Sequence, residues 1–470
     1  MKNKKKILSL IACLSLLSSC NRGTSSNSSC PITNSTPTSS ITPDVEPSIE
    51  ELNQELFENY AIFTNYTNGK IRLDGFKSDM PERLLNLEAI IIPESINGNE
   101  ISVIINSSDY TFGNFKKVKS IKIPSTVQYI ITSNTSSISS PFTRLSYLEN
   151  IEVDSNNHWY SSKGNCLIST TDNLIVCGWG NVEIPDGITS IRNYCFYNNY
   201  SITSIKLNKN INNIASSSFK GLTQLNNIDV NGNTNYTVEG NVFFSSNNNT
   251  VYAAYGHVDY PVRMGTLDVS SNPSVTSITL TNGVLNRFAQ YALRETLIEE
   301  ITIPASVTYL PEYSFTGTSK LKKITIDKNN TKYACSNNCV YNISTMEIIG
   351  GCGDVIIPEG ITEIKETSFH GCTSITSIYF PSSISSIKNT GGQFGGLNGL
   401  NLKLSISEKN LNYKVENNCL MKVEGSDNIV INALPNNDTG DIILPTSATI
   451  FQSASFDNEC LYAKSIKFND

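Results

Sequence analysis

One unit recurs along this chain, and it restricts the fold more than any other feature. A phenylalanine stands nine residues before an isoleucine that centres an apolar-x-x-Ile-x-apolar stretch. "TFGNFKKVKSIKI" contains Phe112 and Ile121, "PFTRLSYLENIEV" Phe142 and Ile151, and "CFYNNYSITSIKL" Phe196 and Ile205. The same spacing links Phe219 to Ile228, Phe315 to Ile324 and Phe369 to Ile378. Phe394 with Leu404 and Phe456 with Ile466 are one residue longer, and the stretches at Ile278 and Ile301 lack the phenylalanine. A unit of about 23 residues cannot bury an apolar face alone, so about ten copies must stack as coils of a solenoid.

Within a unit the Ile-x-apolar stretch alternates as a short strand with its apolar residues inward. A proline follows at Pro124, Pro185, Pro304, Pro358, Pro381 and Pro445 and turns the chain out of the ladder. A second apolar pair then forms an opposite wall, as at Val307 and Leu310 or Ile361 and Ile364. The phenylalanine is expected to fill each coil and stack on the next. Between some units lie longer inserts such as "NNHWYSSKGNCLISTTDNLIVCGWGNVEIP" and "NTKYACSNNCVYNISTMEIIGGCGDVIIP", which read as β-hairpins.

The spacing I-x-I-P-x-x-I-x-x-I-x-x-x-x-F with L-x-x-I-x-I resembles the BspA-like leucine-rich repeats of bacterial surface proteins, over roughly residues 89–468. The hairpin inserts are similar to inserts of that family. The expected fold is mainly β: a leucine-rich-repeat solenoid over 101–470, with an N-terminal helix and β cap over 47–100. Ser48 and Glu51 form a capping box, and Ile49, Leu52, Leu56 and Tyr60 follow helical spacing. How the last coil is capped stays open.

The N-terminus, "MKNKKKILSLIACLSLLSSC", joins a basic start to an eleven-residue apolar run, Ile7 to Leu17. That run is too short to span a bilayer and suits an export leader over 1–19. Leu17-Ser18-Ser19-Cys20 resembles a lipobox, which implies lipidation at Cys20. Residues 20–46 are rich in Ser, Thr, Pro and Asn, a composition expected to form a flexible stalk. Loss of four lysines with residues 1–19 moves the formal charge from −7 to −11, 31 basic against 42 acidic groups. So acidic a chain is a poor nucleic-acid binder.

Motifs for chemistry are sparse. The three histidines, His158, His257 and His370, lie in no H-E-x-x-H, and no Walker loop or nucleophile elbow is present. Of twelve cysteines, ten remain beyond Cys13 and Cys20. Cys335, Cys339 and Cys352 have part of the spacing of a zinc site. Yet Cys166, Cys339 and Cys419 recur at one hairpin position, and Cys177 and Cys352 are assigned to another, so no metal or other cofactor is expected. Two readings stay open: small buried thiols, or hairpin disulfides such as Cys166–Cys177 and Cys335–Cys352 or Cys339–Cys352.

The middle residue of each Ile-x-apolar strand should point outward. Stacking then makes a candidate binding ladder of Lys122, Glu152, Lys206, Asp229, Thr279, Thr302, Thr325, Tyr379, Ser405 and Lys467. Mixed charge on short side chains suits a broad protein-binding face and no catalytic role. The resemblance implies adhesion at the bacterial cell surface, to extracellular or host proteins or to neighbouring cells. Glycan binding or nutrient capture is the alternative, on exposed aromatics such as Trp159, Trp179 and Tyr379.

Overall fold

A computed structural model describes residues 47–67, 69–106, 112–132, 140–142, 145–365, 367–388, 402–435, 439–452, 455–456 and 463–468. The leader, Cys20, the stalk and Phe394 lie outside the described residues. The cap and the repeats belong to one compact unit, Ser48–Asp470.

Among the described residues the first wall consists of fifteen short strands, or rungs, which makes about 14 turns where the repeat predicted ten. All ten expected rungs are present. Five more centre on Ile90, Val182, Val258, Val355 and Ile442. Register is strict: Ile90 pairs with Ile121 and Ile121 with Ile151, Val182 with Ile205 and Ile205 with Ile228. Each centre lies under the same residue of the next coil, so the buried face stays continuous. The second wall is built of shorter parallel pairs, such as Ser190 with Asn213 and Glu363 with Ser386.

Four of the extra rungs follow the inserts, which are three-stranded antiparallel meanders and not simple hairpins. The first comprises Tyr160–Lys163, Cys166–Ser169 and Leu174–Gly178. The second comprises Tyr236–Glu239, Val242–Ser245 and Val251–Ala254, and the third Tyr333–Ser336, Cys339–Asn342 and Ile348–Gly351. Tyr413–Glu416, Cys419–Glu424 and Asp427–Ala433 form the fourth. Each replaces the phenylalanine turn of a coil. The rung behind it therefore lacks the residue by which the repeat was recognised.

The tips of the meanders enter the first wall. Gly164-Asn165, Gly240-Asn241, Asn337-Asn338 and Asn417-Asn418 all have positive φ at both positions, as a two-residue type I′ turn requires. Backbone oxygens of the tips accept from the rung behind: Glu183 N on Gly164 O, Asp259 N on Gly240 O and Ile356 N on Asn337 O. On the rung ahead, Ile324 N donates to Asn338 Oδ1 at 3.4 Å and Leu404 N to Asn418 Oδ1 at 2.8 Å. Each tip thus stands in for a rung where the strand ladder is interrupted.

Two further polar devices seal the coils. Asn157, Asn208, Asn233, Asn330 and Asn410 are buried, and each Nδ2 donates to carbonyls of the preceding coil. Three residues beyond four of them stands a tyrosine. The hydroxyls of Tyr160, Tyr333 and Tyr413 accept from Ile130 N, Leu310 N and Ile387 N, which ends the second wall without orphaned donors.

The expected phenylalanine stack is partly present. Phe112 and Phe142 have centroids 5.2 Å apart, Phe196 and Phe219 5.6 Å. The column is broken in the third meander, where Gly350 lies so close to Phe315 that a Cβ would be 2.8 Å from the ring. Val269 and Ala292 fill the phenylalanine position in the two degenerate coils, and both are fully buried. Phe456 is only partly buried.

The N-terminal helix, Ile49–Glu55, carries the capping box in full. Asn53 is its buried residue, Leu56 and Phe57 are buried in the π-helical turn Leu56–Tyr60 that continues it, and Ile49 is exposed, so the expected stripe is rotated. Asn53 is the reason. Its Nδ2 donates to Ala89 O at 3.1 Å and its Oδ1 accepts from Ile91 N at 2.8 Å, the bonds a neighbouring strand would make. One amide side chain thereby closes the edge of the first rung against stray pairing.

Candidate functional site

Every rung presents two outward positions, because strand side chains alternate faces. All ten residues of the sequence ladder occupy the second of them and all are exposed. They do not form one sheet. Lys122 adjoins Glu152, Lys206 adjoins Asp229, Thr302 adjoins Thr325 and Tyr379 adjoins Ser405. Thr279 pairs with Asp259 and Lys467 with Ile443, both on rungs that the repeat did not reveal. The signal for those rungs was present: Pro185, Pro358 and Pro445 follow Val182, Val355 and Ile442.

The missed rungs complete a pattern. From Lys122 to Asp259 the second column is charged: Lys122, Glu152, Glu183, Lys206, Asp229 and Asp259, whereas the first rung places Ile91 there. Its companion column is Ser120, Asn150, Asn181, Ser204, Asn227 and His257. At the rung Val275–Thr279 the assignment reverses. From there to Ser405 the first column carries Glu300, Lys323, Asp354, Ser377 and Lys403, while the second is Thr302, Thr325, Ile356, Tyr379 and Ser405; the last two rungs place Asp441 and Ser465 in the first and Ile443 and Lys467 in the second. Ile356 is 44% exposed and Tyr379 37%.

Charges on this face largely satisfy one another. Lys122 lies 3.3 Å from Glu152, Lys206 2.7 Å from Glu183 and Lys323 3.9 Å from Glu300. The hydrogen bond and charge of Glu183 push the Lys206 ammonium pKa up. Asp354 accepts from Ser377 Oγ and Thr376 Oγ1, both at 2.7 Å, and these bonds hold its carboxyl below the usual range.

Among the described residues His257 forms a cluster with the residue types of a hydrolytic triad. Its Nδ1 is 2.7 Å from Ser277 Oγ and its Nε2 3.2 Å from Asp259 Oδ1. His257 and Asp259 are exposed to water, and Asp259 N and Gly256 N are committed to Gly240 O and Ser274 O. Neither amide is free to hold an oxyanion, and the imidazole and carboxylate are both open to water. The cluster is a cross-rung hydrogen-bond network.

The eight described cysteines are free thiols, seven of them buried. Cys166, Cys339 and Cys419 do share one position, each directly opposite a small residue: Gly178, Gly351 and Ala433. Space is the cause, since a Cβ on Gly178 would lie 2.6 Å from the Phe196 ring. The other assignment fails. Cys177 faces Leu167 and is equivalent to Gly350, whereas Cys352 takes the place of Trp179. Burial pushes Cys177 and Cys352 up to about 12 and Cys372 up to about 11, which suppresses the thiolate needed for nucleophilic or metal-binding chemistry. Among the described residues no three His, Cys, Asp or Glu side chains gather as metal ligands.

The aromatic side expected for glycans is also corrected. Trp179 is 1% exposed and belongs to the core, because it follows the small pair at the end of the first meander. Trp159 is half-buried against the same cluster, which leaves Tyr379 alone on the rung face. Two clefts are present elsewhere. One of about 370 Å³ lies where Glu152 and Val153 meet Ser161 and Ser162 of the first meander. The other, of about 300 Å³, lies beside the second meander. No described helix is long and apolar enough to cross a membrane.

The sequence matches the BspA type leucine rich repeat region in six copies, over residues 175–256, 270–352 and 351–470. No curated protein matches it. Among solved structures, a leucine rich cell surface protein from Faecalibacterium prausnitzii A2-165 is 19% identical, covers 75% of this chain and 95% of its own, and has a TM-score of 0.31. A leucine-rich repeat protein from Bacteroides ovatus ATCC 8483 is 16% identical over 88% of this chain and 99% of its own, with a TM-score of 0.27. One from Eubacterium ventriosum ATCC 27560 is 16% identical over 66% and 71%, with a TM-score of 0.28. Family match and repeated rung architecture agree: the chain belongs to the BspA-type leucine-rich-repeat family.

Proposed function

We propose that this chain is an exported cell-surface protein, lipid-anchored through Cys20, whose rung face recognises protein partners and so mediates adhesion to host or neighbouring cells. Membership of a leucine-rich-repeat family supports a role in recognition. The observation that carries the reading is the uncharged stripe Thr302, Thr325, Ile356, Tyr379 and Ser405, flanked by exposed Glu300, Lys323, Asp354 and Lys403. An apolar and aromatic pair, Ile356 beside Tyr379, next to a column of charge fits the composition of a protein interface, and tyrosine is enriched among residues that dominate binding energy. At about 4.8 Å per level, fifteen rungs with four meander tips between them extend over roughly 85 Å, room for an interface of ordinary size.

The test is binding of residues 47–470 to a panel of immobilised extracellular-matrix proteins. Ile356→Asp with Tyr379→Asp is expected to weaken saturable binding at least tenfold. Reversal of Lys122 and Lys206 should matter less, because both are already neutralised on their own face. The opposite ranking would move the interface to the N-terminal half, and failure to bind any protein would sink the recognition reading. Anchoring is tested separately: Cys20→Ala should release the protein into the medium.

A further inference from the structure

The second and third meanders both depart from the first and fourth on their second-wall side, and immediately after the following rung the second carries Tyr260 where the third carries Ile357. In the first, Leu174 and Ile175 pair with Ser190 and Ile191; in the fourth, Ile429 and Val430 pair with Ile450 and Phe451. Val251–Ala254 makes no such pairing with Thr266–Leu267. A tyrosine supplies the missing bonds. Tyr260 occupies the position held by Ile184 and Leu444, and it is 4% exposed. Its hydroxyl donates to Thr266 O at 2.6 Å and accepts from Asp268 N at 3.3 Å. The edge of Thr266–Leu267 that would meet the meander is therefore already satisfied, and the two strands stand apart.

The space between them is the cleft of about 300 Å³, lined by Tyr252, Thr250, Ser216, Lys220, Asp268 and Ser270 among others. Asp268 accepts from Ser270 N at 3.0 Å through Oδ1, which leaves Oδ2 for another donor. Neither Lys220 nor Asp268 makes an ion pair among the described residues. Tyr252 is half-buried against Tyr236 and Phe243, so its ring is held by packing.

We propose that this cleft binds a single hexopyranose unit of a glycan. The volume lies at the small end of ligand pockets and is enough for one sugar ring. One carboxylate, one ammonium and several hydroxyls give acceptors and donors together, which vicinal sugar hydroxyls can match and a hydrocarbon cannot. One cation balanced by one anion disfavours a phosphate, which selects a surplus of positive donors. The Tyr252 ring supplies the electron-rich face that the C–H side of a pyranose contacts. The site is distinct from the rung face and would let the same molecule hold a sugar while a protein occupies the stripe.

The experiment is a screen of the full chain against a glycan array, with hits titrated by saturation-transfer NMR. Affinity on the order of 1 mM per ring is expected for so small a ligand. Asp268→Asn, which keeps the acceptor for Ser270 N and replaces the free carboxylate oxygen, and Lys220→Ala should each weaken binding at least tenfold while the thermal midpoint stays unchanged. Tyr379→Ala, on the other face, should leave glycan binding intact. Absence of saturable binding to any hexose-containing glycan at 10 mM, on the order of ten times the expected constant, would overturn the proposal. So would a hit insensitive to both cleft substitutions, or one abolished by Tyr379→Ala.

Discussion

In the coil that contains Phe219 the ring lies 5.6 Å from Phe196, and one large side chain from one position fills the turn. In the first meander the equivalent depth is shared by small residues on separate strands, with Cys166 facing Gly178 under the Phe196 ring. Both arrangements keep the next rung in register, but they distribute the work differently. A coil relies on dispersion and burial at a single site. A meander relies on backbone geometry at its tip and on an asparagine side chain that bonds an adjoining rung. Disruption should therefore look different in the two regions.

The largest effect is expected from emptying a coil. Phe219→Ala removes a fully buried ring, and large-to-small changes of that kind cost about 3–5 kcal/mol. Because each turn of a solenoid contacts only its neighbours, the loss should concentrate in the adjoining rungs Ser204–Lys206 and Asn227–Asp229. Hydrogen exchange measured rung by rung would check this. Uniform loss of protection from end to end would mean that the array folds as one cooperative block.

A meander should be broken by its turn and not by its filling. Gly240 has φ +55°, and a Cβ there would lie 1.9 Å from Asp259 O. Strain and the forced displacement of the tip together should cost Gly240→Ala about 2–4 kcal/mol. The amide of Asp259, which donates to Gly240 O, should lose protection first. A variant as stable as the parent would show that the tip contributes nothing to the stacking of that rung.

These two regions also explain what could be read from the sequence. The coils were legible because one bulky residue at a fixed interval is a periodic signal, and ten rungs with their inward and outward faces followed from it. The meanders hid the rungs behind them, because small residues opposite one another have no period of their own. Val182 and Val355 could be found only through Pro185 and Pro358, which had been credited to the neighbouring coils. Trp179 was misplaced for the same reason: with the meander read as a simple hairpin, nothing signalled that its last strand turns inward. The cleft beside Tyr252 depends on a hydroxyl, that of Tyr260, replacing strand pairing across distant segments, and no local spacing encodes that.

Asn338 sharpens the comparison further, since its side chain does for the third meander what a strand does in a coil. Asn338→Ala leaves Ile324 N without its acceptor and Lys322 O without its donor. Unpaired groups of this sort cost about 1–3 kcal/mol when buried. Lys322 is exposed, so the lower end is expected. Asn338→Asp separates the two halves of the bridge, because it keeps the acceptor and removes the donor. Denaturant midpoints should rank the parent above Asn338→Asp, and that above Asn338→Ala.

The smallest effect should come from the outward columns. Asp354 accepts from Ser377 and Thr376 on the adjoining rung, and those bonds lower its pKa in the folded state. A depressed carboxyl binds fewer protons folded than unfolded. Its contribution is therefore complete above the unfolded value near ~4 and disappears as the pH falls through the lower folded value. Asp354→Asn should remove that part of the acid dependence and change stability at neutral pH by less than about 0.5 kcal/mol, as surface substitutions usually do. Unfolding midpoints of the pair at pH 7 and pH 3, on either side of that transition, provide the check. A loss at pH 7 as large as that of Asn338→Ala would mean that the outer face helps hold the rungs together. The expected small change has the opposite consequence: meander tips and coil fillings carry the stack, and the outward columns are free to be set by what they meet.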